Sequence, residues 1–153
     1  MLKKGQDNFM NFYIDFEATQ PGNEIISIGV VAGNGSTFSC LVKPVESKIT
    51  PFITKLTGIT LDKIKYGVDL DQAIDGLWSW MLHQEDAIDF WNVYSYGNND
   101  VDFIKTSMKM TTQPTTILRM GTLATILQDA TTQINYYFNG SISLIHAYNY
   151  VQK

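Results

Sequence analysis

Asn11-Phe12-Tyr13-Ile14-Asp15-Phe16-Glu17-Ala18-Thr19 is an aromatic and β-branched run that carries two acids where a buried strand has no use for them. It is short and apolar, and Pro21-Gly22-Asn23 follows it, so it reads as a strand closed by a turn. Side chains two apart on a strand point the same way. Asp15 and Glu17 therefore share one face, about 6.6 Å apart along the axis at ~3.3 Å per residue, with Ile14 and Phe16 on the other. Neighbouring carboxylates repel, and burying them without compensation is costly. A divalent cation that prefers hard oxygen ligands, Mg²⁺ or Mn²⁺, is the usual compensation. The plain alternative is a strand end whose acids face water, and the pair alone does not exclude it.

Outward from this strand, Glu24 to Ala32 is a second, nearly continuous apolar run whose composition suits a central strand. Gly33-Asn34-Gly35-Ser36 holds an Asn-Gly pair that accepts positive φ, and Thr37 to Val42 resumes the strand pattern, which predicts a hairpin stopped by Pro44. Three strands on short turns make an antiparallel meander. Pro51 to Thr60 predicts a short helix, a break at Gly58, and a turn capped by Thr60 running through Ile64. Asp69 and Gln72 have capping-box-like spacing, and Leu70, Ala73, Ile74, Leu77, Trp78, Met81 and Leu82 then recur at helical period as core candidates. Ile88 to Tyr96 is a further aromatic strand leading into a helix over Val101 to Lys109. Strand, helix, strand implies a crossover, so it should run parallel to one of the first three. Thr111 to Thr116 reads as a polar loop. Met120 to Phe138 reads as an amphipathic helix ended by Asn139-Gly140, and Ser141 or Ser143 as the cap of a last helix.

The 153 residues suit one domain, taken as 1–153, with enough apolar content for a core. Met1 to Asn8 lacks an apolar signal region and no run approaches a membrane span, which gives the expectation of a soluble, cytoplasmic protein with no membrane partner. Cys40 is the single cysteine, so an internal disulfide and a cysteine-based zinc site are excluded, and it reads as a small hydrophobe. The net charge of −4 is uneven. Residues 1–66 hold seven Lys against six acids, and residues 67–99 hold six acids with no Lys or Arg. Residues 100–153 hold four basic groups against three acids. The acidity is local, and the flanking segments permit a phosphate-bearing ligand.

Asp100 falls just past the carboxyl end of a strand, at a helix start, which is where open α/β sheets place ligand-binding groups. Asp is also a common helix N-cap. If the 88–96 strand lies beside the first and parallel to it, Asp100 joins Asp15 and Glu17 at one end of the sheet.

These residues resemble a known family. Tyr13 to Thr19, then Leu56-Thr57-Gly58-Ile59-Thr60, then Tyr94 to Phe103 are similar to the first two exonuclease motifs and the intervening connector of the DEDDh 3′–5′ exonucleases, in the RNase H-like superfamily with DnaQ-like and Eri-1-like members. The resemblance covers residues 11 to about 109. It implies an α/β fold: an RNase H-like mixed sheet, the three-strand meander plus parallel strands, flanked by helices. It also implies a two-metal (Mg²⁺ or Mn²⁺) hydrolysis of phosphodiester bonds at the 3′ end of single-stranded DNA or RNA. Asp15 would bridge the ions, Glu17 would hold the one that activates water, and Asp100 would ligate the other. Phe16, Ala18, Thr19, Thr57, Gly58, Ile59 and Asn99 would seat the terminal nucleotide.

The same pattern finishes with His-x-x-x-x-Asp, the general base and a fourth carboxylate. Here His146 is followed five positions later by Val151, so the third motif is not found, and His146 is retained as a weak candidate base. His83 reads as a helix-surface residue. The expectations that follow are a domain lacking its third-motif helix, low activity as given, and an apolar sheet face met by a homodimer, a fusion or partner protein, or the C-terminal segment. The competing readings are a non-catalytic module of the same fold that binds nucleic-acid ends or docks a protein, and an unrelated RNase H-like endonuclease.

Overall fold

The computed structural model describes residues 9–84, 90–95 and 99–130. β1 (Phe9–Ala18), β2 (Ile25–Ala32) and β3 (Thr37–Leu41) form the expected antiparallel meander. The β2–β3 turn closes through the Ala32 N–H to the Ser36 carbonyl at 2.8 Å, with Gly35 at φ 89° and the Asn34 side chain accepting from the Ser36 N–H. β4 (Phe90–Ser95) runs parallel to β1, and β5 (Leu127–Asp129) runs parallel to β4. The sheet order is β3-β2-β1-β4-β5, which puts the acid-bearing strand at the centre of an RNase H-like mixed sheet flanked by helices.

Between β3 and β4 come α1 (Pro51–Thr57), α2 (Leu61–Ile64) and α3 (Leu70–Leu82). The sequence signals act as expected. Thr60 caps α2 through its side chain, Gly58 takes the left-handed conformation at φ 79°, and Asp69 accepts from the Gln72 N–H at 2.9 Å; Thr50, which the sequence reading did not name, caps α1 in the same way. α4 (Asn99–Met108) follows β4, and α5 (Pro114–Ile126) precedes β5.

The alternation of β1 divides the molecule. Phe12, Ile14 and Phe16 point into the main core with Ile28 and Val30 of β2, under Leu70, Ala73, Ile74, Leu77 and Met81 of α3, Ile104 of α4, and Met120 and Leu123 of α5. Trp80 and Trp91 pack edge-on against Phe12, and Trp78 against Trp91, so the tryptophans are packing residues. A second cluster, Ile26, Ile49, Ile53, Ile59 and Ile64, seats α1 and α2 on the sheet.

Three expectations need correction. The Thr111–Thr116 segment is not a loop throughout, because Pro114 opens α5, where its missing N–H costs nothing. The apolar period from Met120 does not continue as a helix through Leu127 and Ala130. α5 ends at Ile126, and Leu127–Asp129 pairs with Val93–Ser95, the parallel ladder outweighing a helix pattern that the periodicity alone carries on. Leu82, at the end of α3, is exposed rather than in the core. Cys40 is half-buried against the core, and His83 sits exposed at the end of α3 as expected. The continuation to Phe138, the last helix, His146 and Val151 lie outside the described residues.

Candidate active site

The β1–β4 ladder runs from Phe9 opposite Phe90 to Tyr13 opposite Tyr94, and β1 continues to Ala18. That overhang carries Asp15, Phe16 and Glu17, and α4 begins beside it. Asp100, in the first turn of α4, is buried, and its carboxylate accepts a hydrogen bond from the Phe16 backbone N–H. The acid that a capping role would have kept within its own helix thus reaches across to the central strand, between Asp15 and Glu17. The three acids stand within each other's field. Burial, then the Asp15 charge, then the Glu17 charge push the Asp100 carboxyl up to about 7 against the pull of the Phe16 N–H. Glu17 is raised by burial and then by Asp15. Asp15 reaches solvent, yet enough water is displaced around it for desolvation to raise it as well.

The opposite strand leaves room on that face. Gly29 is the partner of Asp15 and Ser27 the partner of Glu17, while Ser39 of β3 lies opposite Gly29. Partnered residues on an antiparallel pair project to the same side, so both acids stand beside small neighbours. Tyr13, two residues before Asp15 and on the same face of β1, stacks on Tyr94 at 5.6 Å. These residues were not singled out from sequence. Small residues alternating at 27 and 29 were the available signal, readable only once the register was known.

Among the described residues no group of three or more His, Cys, Asp or Glu is closed tightly enough to hold a metal ion. The chemistry of the donor set nevertheless suits one. Three hard carboxylates stand within one another's field, and no basic side chain contributes to the raised carboxyls, so a cation would supply the opposing charge they lack.

The other sequence candidates are placed as follows. The Phe16 ring is in the core, so only its backbone borders the site. Ala18 and Thr19 are buried; Thr19 exchanges backbone hydrogen bonds across the β1–β2 turn, and its hydroxyl accepts from the Glu24 N–H at 3.0 Å. The Thr57 hydroxyl donates to the Ile53 carbonyl and accepts from the Ile59 N–H. Ile59 is buried in the second cluster. Gly58 opens onto free space, and Asn99 is exposed at the first position of α4.

A five-stranded mixed sheet with carboxylates gathered at the end of its central strand defines a nuclease-like α/β protein of RNase H type. The exonuclease family model, RNase T type, matches residues 12–135, and the chain belongs to that family. No curated protein matches it significantly. Among solved structures it is similar to the nuclease domain of 3′hExo, a DEDDh family member bound to rAMP, at 26% identity and TM-score 0.59 over 66% of this chain and 58% of that one. It is similar to a 3′-exonuclease recognising the 3′ end of a histone mRNA stem-loop, at 25% identity and TM-score 0.61 over 69% and 54%. Cell-death related nuclease 4 shares the fold, at 17% identity and TM-score 0.58 over 90% and 53%. The chain thus spans a little over half the length of each of these structures.

Proposed function

We propose that this chain is the metal-binding part of a 3′–5′ exonuclease that hydrolyses phosphodiester bonds at the 3′ end of single-stranded DNA or RNA, acting in the cytoplasm. The observation that carries the reading is the reach of Asp100 across to the Phe16 N–H, which sets three repelling carboxylates at one end of the central strand. Asp15, Glu17 and Asp100 would hold Mg²⁺ or Mn²⁺, and a bound pair of such ions supplies an activated water and a charge clamp for in-line displacement at phosphorus. The protein's own part is to hold the acids. β1 fixes Asp15 and Glu17 on one face, the Phe16 amide orients Asp100, and Gly29 and Ser27 leave the approach open. Similarity to proteins solved with rAMP and with an mRNA stem-loop supports a nucleic-acid 3′ end as the substrate.

The looseness of the three acids, which form no closed ion-holding group among the described residues, favours a second reading: a module that binds ends without turnover. The test is a single-stranded oligonucleotide labelled at its 5′ end, incubated with Mg²⁺ or Mn²⁺. Stepwise shortening from the 3′ end that Asp15→Asn abolishes supports the exonuclease. Binding without shortening in either metal supports the end-binding module, and cleavage of a circular strand would replace both with an endonuclease.

A further inference from the structure

Among the described residues, basic groups and exposed apolar side chains are densest in one segment, although Leu82, Ile117 and Leu118 are exposed elsewhere. Residues 43–66, between β3 and α3, carry Lys43, Lys48, Lys55, Lys63 and Lys65 against Glu46 and Asp62. The other described residues carry only Lys105, Lys109 and Arg119 as basic groups, against Asp15, Glu17, Glu24, Asp69, Asp71, Asp75, Asp100, Asp102 and Asp129. Among described residues only Lys65 of the five is ion-paired, with Asp62. The same segment exposes Phe52 (59%), Leu56 (55%), Leu61 and Tyr66.

The two features interleave. Phe52, Lys55 and Leu56 lie three and four positions apart on α1 and so share a stripe. The Lys63 amine comes to 3.4 Å from the Gly58 carbonyl, which brings a second cation to the C-terminal end of that helix. An apolar side chain kept in water beside ammonium groups that have no carboxylate partner among the described residues is poorly explained by packing. It matches the chemistry of single-stranded nucleic acid, in which phosphates alternate with bases that offer a flat apolar surface.

The segment is also fixed to the active-site end of the sheet. Val45, Glu46 and Ser47 donate their N–H groups to Glu24 at the close of the β1–β2 turn, and Ile53 and Ile59 are packed on Ile26, next to the Ser27 that faces Glu17.

We propose that the outer face of α1 and its junction with α2 form a tract-binding surface. Lys55 and Lys63 hold phosphates and Phe52 stacks on a base of the single strand, DNA or RNA, several nucleotides before the end held at the carboxylates. This rests on the 3′-end reading above and adds to it a grip on the body of the strand, independent of sequence and of metal.

The experiment is fluorescence anisotropy, in EDTA, of fluorescein-labelled single strands of about twenty nucleotides, longer than a usual binding site, in DNA and RNA versions, alongside a labelled dinucleotide. Wild type is expected to bind one or both long strands. Phe52→Ala should weaken that binding roughly tenfold. The pair Lys55→Gln/Lys63→Gln should lower the slope of log affinity against log salt by about 1.4, at ~0.7 per lost phosphate contact on a single strand. Neither change should alter the dinucleotide. Lys105→Gln/Lys109→Gln, on α4 and in the turn that follows it, is the control and should leave the long strands unaffected.

Equal affinity of wild type and the α1 variants, or an equal loss in the α4 control, overturns the proposal. Absence of any long-strand binding by wild type also overturns it and leaves the surface to a protein partner. Failure of the exonuclease reading has a different signature: a protein that releases no nucleotide yet still binds long strands through Lys55, Lys63 and Phe52.

Discussion

Two carboxylate sites, Glu24 and the trio of Asp15, Glu17 and Asp100, are opposites. Glu24 is almost fully buried, and its two oxygens accept from the backbone N–H groups of Val45 (2.6 Å), Glu46 (2.8 Å) and Ser47 (2.5 Å). Burial alone would push its carboxyl up. The amides of Val45, Ser47 and Glu46, with the Ser47 hydroxyl, outweigh it and hold the group below the ordinary Glu value. Gly22 lets this loop come close, since a Cβ there would strike the Ser47 side chain. Asp15, Glu17 and Asp100 receive no comparable set of donors, and all three are raised. A fold that can surround one acid with donors and leave three together without them separates a structural carboxylate from carboxylates kept for a ligand.

The comparison breaks most visibly in turnover. If the trio is the site, Asp100→Asn should cut Mn²⁺-dependent release of 3′ nucleotides by more than ~100-fold, beyond the 10–100-fold effect of groups that merely support a ligand. Glu24→Gln, assayed where it is folded, should retain activity. An Asp100→Asn protein as active as wild type would dissolve the contrast.

Next comes stability. Glu24→Ala leaves three backbone amides without their acceptor and should cost on the order of 2 kcal/mol, read as a lower urea midpoint. In chelator, Asp100→Asn should do the reverse and stabilise by roughly 1 kcal/mol, because it removes repulsion while an amide oxygen still accepts from Phe16. Destabilisation by both would show that the trio is as structural as Glu24.

The finest distinction is in pH, again without metal. Asp100 is raised in the folded protein to about 7 from 3.8, so the folded state binds the proton more tightly, and stability should decline as pH rises between those values. The advantage of Asp100→Asn over wild type should therefore be largest above pH 7 and shrink towards pH 4. Glu24 has the opposite sign. Its folded value is depressed, so its contribution is present above its ordinary value of 4.5 and is lost as pH falls through the folded one. Urea midpoints of wild type and the two variants across this range check both slopes.

How much of this could be read in the chain beforehand follows from the range of the interactions. Local rules placed β1, the Asn34-Gly35 turn, the Thr60 and Asp69 caps and the Gly58 break, because each depends on residues a few positions apart. The convergence of Asp15, Glu17 and Asp100 needed one topological inference, the crossover from β1 to a parallel β4, and the register bears that inference out. The end of α5 was not legible, since Leu127-Gln128-Asp129 becomes a strand only because Val93, Tyr94 and Ser95 offer an edge. Nor was the role of Glu24, whose donors are backbone groups more than twenty positions away and leave no trace in residue type. The Phe16 amide that orients Asp100 was invisible for the same reason.

The central claim is that Asp15, Glu17 and Asp100 act as one cation site, and isothermal calorimetry of Mn²⁺ binding near pH 7, repeated in buffers of different ionisation enthalpy, tests it most directly. The prediction is binding accompanied by net proton release, as the cation displaces the proton that Asp100 holds at that pH, with binding lost in Asp15→Asn and unchanged in Glu24→Gln. Mn²⁺ binding of equal strength in Asp15→Asn and wild type, or no binding by wild type at all, would contradict it.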